Sequence, residues 1–403
     1  MFTATDEIML PTTVTGSWPR PRWYEQNLGG TPLSTRLNDA VFREQFLDAT
    51  KAVVSDQERA GLDIVVNGDY HLDDDLGGQS WALYPLERLS GVELVNRTAT
   101  VAWTHAAGTL LNEVQGGWRF PPVVDRIGVH VPYEFDKIWR SAQSLTDKPV
   151  KIGTISAQTA AAFMGNASTY YDDDKRQLMW DFAELMNGQL RILAVAGCKV
   201  IQVEDPMIHF FAQFADSREH VDFLVDVLNR EIAGLDDCEV WVHTCWGNPN
   251  MQRVGDVSPY APSFEDFLYR VNCDVWTLEM CDRDFQDLEQ FSRYADATKK
   301  IAIGIISHRT LQVDATDAIA ANIRRCLEHI AADKLVLSSD CGFGRAGFNR
   351  LIAYHKSAAM VRAANRVRGE LGFEVTSPRN DDPLTQLDIP PLSPTDPARS
   401  SSV

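Results

Sequence analysis

The sequence predicts an α/β fold, a (β/α)8 TIM-type barrel with an insertion after the second strand. Eight short β-branched runs alternate with longer segments of helical periodicity. Several of these runs are apolar throughout, which is typical of parallel strands covered on both faces. The alternative is an open doubly wound sheet, and the lack of a glycine-rich nucleotide loop after the first run disfavours it.

The predicted strands are bounded by turn residues or by the start of a helical pattern. They cover residues 12–17, 62–69, 150–156, 199–205, 239–245, 274–280, 300–307 and 334–340.

Apolar residues at helical spacing predict the helices between the strands. Five apolar residues fall on one face of a helix: Phe182, Leu185, Met186, Leu190 and Leu193. Similar stripes cover 315–333 and 348–372. The last of these ends at Gly372, a residue suited to a helix C-terminus.

Residues 1–375 are predicted to form one domain that contains an insertion at about 78–140. Within the insertion, the stretch "VELVNRTATVAW" (92–103) alternates as hairpin strands do. Residues 376–403 are rich in Pro, Ser and Asp and have no apolar stripe, so we expect a disordered or loosely attached tail.

Composition narrows the classes of partner. The formal net charge of −18 argues against nucleic acid or an anionic membrane surface as the main partner. No apolar run approaches the length of a membrane span. Seven scattered cysteines without a small-domain disulfide pattern indicate reduced thiols, and hence a cytoplasmic protein.

The active site of a barrel forms where its strands end, at their carboxyl ends. Nearly every predicted strand ends at a residue that can bind or react. In chain order these residues are Ser17, Asp69, Ser156, Glu204 with Asp205, His243 with Cys245, Glu279, His308 with Arg309, and Asp340 with Cys341.

Three of these residues predict a metal site. His243 and Cys245 leave one strand on the same side, and Cys341 follows the last strand, so the three meet if the strands close into a ring. Imidazole and thiolate are the usual ligands of Zn²⁺, and Glu279 at the intervening strand end could fill the fourth position. The alternative is that each cysteine is simply a small buried hydrophobic residue.

Four motifs together resemble the catalytic domain of cobalamin-independent methionine synthase. They are "LPTTVTGSWPR", "VHTCWGN", "DVWTLEM" and "LVLSSDCGFGR", and the resemblance runs over about residues 10–372. It implies a (β/α)8 barrel in which Zn²⁺ activates a thiol for alkylation. It further implies four ligands, which in this sequence are His243, Cys245, Glu279 and Cys341.

The same resemblance implies a binding site for an amino-acid thiol at Ser17, Asp69 and Glu204. The sequence also departs from the family pattern. Asp69 replaces a longer Glu, the third strand reads "GTISAQTA" instead of carrying the family's G-P motif, and "SHRT" stands where the family has a catalytic His. His308 and Arg309 in "SHRT" are therefore the candidate catalytic residues. Arg309 could also bind a substrate carboxylate or sulfonate with both arms of its guanidinium.

The function expected from these residues is zinc-dependent S-methylation of homocysteine or a similar thiol by a small-molecule alkyl donor. The first alternative is thiol alkylation of the epoxyalkane:coenzyme M transferase type. In that reaction His308 would protonate the alkoxide of the opened epoxide. The remaining alternatives are a non-catalytic zinc-binding barrel and a zinc hydrolase, although two thiolates would make the metal a poor Lewis acid.

Overall fold

The fold is described from a computed structural model. The described residues are 2–72, 78–98, 108–110, 112–113, 117–214, 217–253, 260–294, 298–345, 347–373 and 375. The predicted tail, 376–403, and part of the insertion lie outside these ranges.

A curled parallel sheet of seven strands forms the centre of the molecule, in the order β1-β4-β5-β6-β7-β8-β9, and β2 and β3 form a separate antiparallel pair. The strands are β1 Val65–Val66, β2 Leu89–Val92, β3 Val123–Val129, β4 Val150–Ile155, β5 Val200–Glu204, β6 Glu239–Thr244, β7 Val275–Leu278, β8 Lys300–Ile306 and β9 Leu335–Ser339.

Helices pack on the outside of this sheet. The α-helices are α1 Leu33–Arg36, α2 Ala40–Ala60, α3 Gln79–Leu86, α4 Phe135–Gln143, α5 Ala157–Phe163, α6 Arg176–Val195, α7 Ile208–Phe214, α8 Arg218–Glu231, α9 Ala261–Ser263, α10 Thr316–Leu327 and α11 Arg350–Glu370. Short 3-10 turns cover Pro249–Met251, Cys281–Arg283 and Leu288–Tyr294, and a π-turn covers Phe264–Leu268.

The helical stripes in the sequence are confirmed. Phe182, Met186, Leu190 and Leu193 are buried on one face of α6, and Leu185 is half-buried against the same core. Helix α11 ends before Gly372, whose φ of 78° is the left-handed conformation that a helix C-terminus favours. None of the helices in the described ranges combines the length and apolar character needed to cross a bilayer.

Seven of the eight predicted strands are present, and the prediction of a regular strand over 12–17 is wrong. Thr12 makes only an isolated parallel bridge, to Leu337 in β9. The Thr13 N–H donates to the Leu337 carbonyl (2.9 Å), and the Ile64 N–H, beside β1, donates to the Thr12 carbonyl (3.1 Å). The segment therefore lies between the two edge strands of the sheet without pairing regularly with either.

Side chains explain the irregular pairing. The N–H and the hydroxyl of Thr12 both donate to Asp63 Oδ2 at 2.8 Å. The Thr15 N–H donates to Ser339 Oγ at 2.9 Å, and Gly16 follows with a φ of 63°. Side-chain oxygens thus take the hydrogen bonds that a strand ladder would otherwise take.

The amino-terminal segment covers the end of the sheet opposite the polar strand ends. Glu239, at the start of β6, accepts hydrogen bonds at its Oε1 from the N–H groups of Thr3, Ala4 and Thr5, at 2.7–2.8 Å. Ala4 packs in a small apolar cluster that includes Trp241. This base of the sheet is closed by the chain itself, so a ligand has to enter from the other end.

The insertion contains an antiparallel strand pair, β2 with β3, in which Leu89 lies opposite Val129 and Val92 opposite Val123, with a register shift between Ser90 and Val92. The pair lies at the two ends of the insertion, outside most of the alternating stretch 92–103. Thr98 bridges to Phe120, and the middle of the insertion is outside the described residues.

Candidate active site

Three predicted metal ligands come together at the carboxyl end of the sheet. The imidazole of His243 and the sulfurs of Cys245 and Cys341 offer ligand atoms that all lie within 4.8 Å of one another, and all three residues are buried. The Cys245 and Cys341 sulfurs are 4.0 Å apart, and both thiols are free. Strand β6 supplies the first two residues, and the turn after β9 supplies the third.

The ring of His243 is oriented by the neighbouring strand. Register places His243 opposite Thr277 of β7, and its Nδ1 lies 3.2 Å from the Thr277 carbonyl oxygen. That contact fits an Nδ1–H donor and leaves Nε2 with a lone pair. Nε2 is buried and has no hydrogen-bond partner, which is a costly state for a polar atom unless a ligand binds it.

The two thiols behave as an acid–base pair. The hydrogen bond with Cys341, followed by burial, raises the pKa of Cys245 well above its usual value. The hydrogen bond from Cys245 lowers the pKa of Cys341 well below its usual value, against the effect of burial. Burial opposes protonation of His243, but the nearby charges of Cys341 and Glu204 raise its pKa. Of the two thiols, Cys341 is thus the one that loses its proton more readily.

This donor set fits Zn²⁺. Two sulfurs and one imidazole nitrogen converge, and the unpartnered Nε2 supplies the nitrogen. Zinc favours this combination of ligands, and three protein ligands leave a position open for substrate.

Glu279, the predicted fourth ligand, is placed beside Arg309 instead of within the cluster. Arg309 Nη2 lies 3.0 and 3.1 Å from the two carboxylate oxygens of Glu279. The Trp246 N–H also donates to this carboxylate, at 2.9 Å. Arg309 Nη2 further donates to the Gly247 carbonyl at 2.9 Å. The guanidinium is thus engaged by the carboxylate and by the loop that follows Cys245.

His308, the other candidate catalytic residue, belongs to a second close group with Asp282 and Asp340, in which His308 and Asp340 are buried and Asp282 is half-buried. Its Nδ1 lies 3.2 Å from Asp282 Oδ2, and its side chain is fully buried. Asp340 accepts hydrogen bonds from the backbone N–H groups of Met280, Cys281 and Asp282, at 2.7–2.8 Å. Asp340 therefore anchors the loop after β7.

The predicted substrate-binding acids lie next to each other. A Cβ added at Gly153 would lie 2.8 Å from Glu204 Oε1 and 3.8 Å from Asp69 Oδ2, so both carboxylates reach towards this glycine. Gly16 approaches the same Glu204 oxygen. Register places Glu204 opposite His243, next to the metal cluster. Burial raises the pKa of Glu204, and the nearby His243 opposes that rise.

Ser17 is the third predicted substrate contact. Its hydroxyl oxygen accepts a hydrogen bond from the Gly344 N–H at 3.1 Å. The Ser17 carbonyl also accepts from Phe343 and Gly344. Ser17 is thereby tied to the turn that carries Cys341.

Lys151 is a buried cation that the sequence reasoning missed. Its Nζ donates to Gln202 Oε1 at 2.7 Å and lies 4.6 Å from the centre of the Trp241 ring. Burial lowers its pKa to about 7, against the opposing charges of Glu204 and Asp69. The sequence signal that could have identified it is a lysine within a strand predicted to be buried on both faces.

A cavity opens above the metal cluster. His243, Cys245, Cys341 and Glu204 lie on one part of its lining. Aromatic residues make up much of the rest: Trp81, Trp118, Phe163 and Phe210. The insertion supplies both tryptophans, and no local sequence pattern connects them to the distant metal ligands.

The chain is similar to known proteins over most of its length. The family described as cobalamin-independent synthase, catalytic domain, matches residues 10–366. A methionine synthase from Saccharolobus solfataricus is 27% identical over 364 residues, which are 90% of this chain and 96% of that protein. One from Sulfurisphaera tokodaii is 25% identical over 377 residues, covering 92% and 98% of the two chains.

Solved structures show the same fold. A B12-independent methionine synthase from a Shewanella species, in complex with selenomethionine, superposes with a TM-score of 0.72 at 25% identity, covering 90% of this chain and 99% of that one. A protein from Listeria monocytogenes, described as a putative vitamin-B12-independent methionine synthase, gives a TM-score of 0.62 at 20% identity, covering 88% and 96% of the two chains.

Proposed function

Because the chain belongs to the family of cobalamin-independent synthase catalytic domains, we propose that it is a zinc-dependent S-methyltransferase acting on homocysteine or a similar amino-acid thiol. Methionine synthases of similar length and the structure bound to selenomethionine support this choice of substrate. The observation that carries the proposal is the pair of carboxylates, Asp69 and Glu204, beside the cluster of His243, Cys245 and Cys341.

In this proposal His243, Cys245 and Cys341 hold the zinc ion, and Glu279 supplies the displaceable fourth ligand. When bound, Zn²⁺ lowers the pKa of the substrate thiol, so that the sulfur is present as the nucleophilic thiolate. Arg309 pairs with both oxygens of Glu279, and it would hold that carboxylate whenever Glu279 is not a ligand of the metal.

Asp69 and Glu204 bind the ammonium group of the amino-acid thiol, and Ser17 contributes a hydroxyl. Two buried carboxylates side by side are unfavourable unless a cation joins them. Lys151 lies below them and partly offsets their charge, but its Nζ is engaged with Gln202. A substrate ammonium therefore has a matched place beside the metal cluster.

The coenzyme M alternative is less well supported. A sulfonate would need a cation at the site, and Arg309 is already engaged with Glu279 and Gly247. The epoxide reaction also needs a proton donor for the alkoxide. His308 is fully buried beside Asp282 and is absent from the described lining of the cavity.

The proposal also covers the closure of the barrel and the location of the protein. We propose that residues 11–15 close the sheet into an eight-stranded barrel, since their backbone bonds reach Leu337 on one side and Ile64 on the other. All seven cysteines are free, which agrees with a cytoplasmic enzyme.

The test compares binding of two thiols to the zinc-loaded protein by calorimetry. Glu204→Gln should weaken homocysteine binding by about 2 kcal/mol, the loss of a charged hydrogen bond, and leave coenzyme M binding unchanged. Glu219→Gln is the matched control, because that carboxylate is largely exposed and lies on α8. If Glu204→Gln bound homocysteine as the wild type does, and Arg309→Lys lost coenzyme M binding, the sulfonate alternative would be preferred.

A further inference from the structure

The cavity above the metal cluster has an aromatic part to its lining, which a second substrate would contact beside the thiol. Trp81 lies on α3, and Trp118 lies just before β3. Trp118 packs edge-on against Phe163, with ring centres 6.1 Å apart. Aromatic faces carry partial negative charge, so they attract cations as well as apolar groups.

The charges on the lining restrict the donor further. Among the described lining residues, Glu204 is the one carboxylate and Arg345 the one guanidinium. Arg345 donates to the backbone carbonyls of Asn248 (3.0 Å) and Gly344 (2.8 Å). A donor carrying several carboxylates would therefore meet a single cation that already has hydrogen-bond acceptors.

Proton supply is the third restriction. A methyl group carried on an ether oxygen or a neutral amine leaves behind an anion that has to be protonated. Apart from the proposed zinc ligands and Glu204, which the proposal assigns to the ammonium group, the described lining contains no imidazole, phenol or carboxylic acid. A methyl donor whose leaving group is neutral after the transfer needs no proton donor.

We propose that the methyl donor is a small onium compound, a methylsulfonium or quaternary methylammonium ion, held against Trp81 and Trp118. This inference rests on the proposed function. The anionic sulfur of the substrate attacks the methyl carbon, and a new carbon–sulfur bond forms. The bond from that carbon to the onium centre breaks, and its electron pair stays on the leaving atom. The donor becomes a neutral thioether or tertiary amine, and no proton is transferred.

The binding test compares choline with 3,3-dimethyl-1-butanol, which has the same shape but carries carbon in place of the charged nitrogen. Binding to the full-length zinc-loaded protein is followed by calorimetry and by tryptophan fluorescence. We expect choline to bind about tenfold more tightly than the neutral alcohol. Trp81→Leu and Trp118→Leu should each reduce this preference. The matched control, Trp23→Leu, removes an exposed tryptophan that does not line the cavity and should leave the preference unchanged.

The transfer test supplies homocysteine with trimethylsulfonium or with methyltetrahydrofolate and measures the methylated product. Product from the sulfonium, reduced by Trp81→Leu, supports the inference. Equal binding of choline and the neutral alcohol overturns it, and so does transfer from the folate alone. Homocysteine binding, measured without any donor, reports on the proposed function separately, so a failure of the donor assignment leaves the thiol assignment standing.

Discussion

Replacing Gly153 by alanine should weaken binding of the amino-acid thiol without removing the metal. The new Cβ would lie 2.8 Å from Glu204 Oε1, whereas ordinary van der Waals contact begins at 3.4 Å. The Glu204 carboxylate would therefore have to move by about 0.6 Å. Polar groups of a binding site have to be held within about 0.5 Å of their productive positions. We expect homocysteine to bind about tenfold more weakly, a loss of about 1.4 kcal/mol.

The assay is calorimetry of homocysteine with the zinc-loaded variant, together with its zinc content and thermal midpoint. Gly188→Ala is the matched control. Gly188 lies inside α6 with nothing within 4 Å of the added Cβ, so the change should stabilise the helix by about 0.5–1 kcal/mol and leave binding unaltered. Unchanged homocysteine affinity in a folded Gly153→Ala variant would refute the assignment of the carboxylates to the substrate ammonium.

Three further changes test the metal site, a buried acid and the tail. Cys341→Ser should lose zinc, measured by elemental analysis, while the fold persists; full zinc occupancy would contradict the ligand assignment. Burial raises the pKa of Glu231 from 4.5 to about 8, so its contribution to stability is complete below about pH 4.5 and is lost as the pH rises towards 8. As the pH rises over that range, the free energy of unfolding of Glu231→Gln should therefore increase relative to that of the wild type, by at most about 5 kcal/mol in urea unfolding. Parallel pH profiles of the two unfolding free energies would contradict this. A chain ending at Val375 should keep its thermal midpoint and turnover, and a drop in either would show that residues 376–403 dock on the domain.

Local pattern was enough to predict most of the sheet, because buried parallel strands are short apolar runs that the chain repeats. It also predicted the meeting of His243, Cys245 and Cys341, since the carboxyl ends of parallel strands share one edge of the sheet. The irregular first segment was not predictable, because Thr12 and Thr15 bond to side chains at Asp63 and Ser339, which lie far away in sequence.

The sequence also did not predict which residues of the site pair with each other. Glu279 and Arg309 are 30 positions apart, and nothing in either motif indicates that they form an ion pair. Trp81 and Trp118 line the same cavity because the insertion folds back over the strand ends. Such contacts are set by tertiary packing and leave no periodic signal.

The closed base of the sheet ties the order of synthesis to the order of assembly. Thr3, Ala4 and Thr5 are synthesised long before their acceptor, Glu239, which follows 234–236 residues later. The separation is larger still for Thr13, because its hydrogen-bond partner is Leu337.

Ser17 shares this delay, since its backbone and hydroxyl bond to the turn at residues 343–344. A nascent chain therefore lacks both its lower seal and its thiol pocket until β9 and the turn after it have been made. Partly synthesised chains that end before this turn therefore cannot assemble a working site.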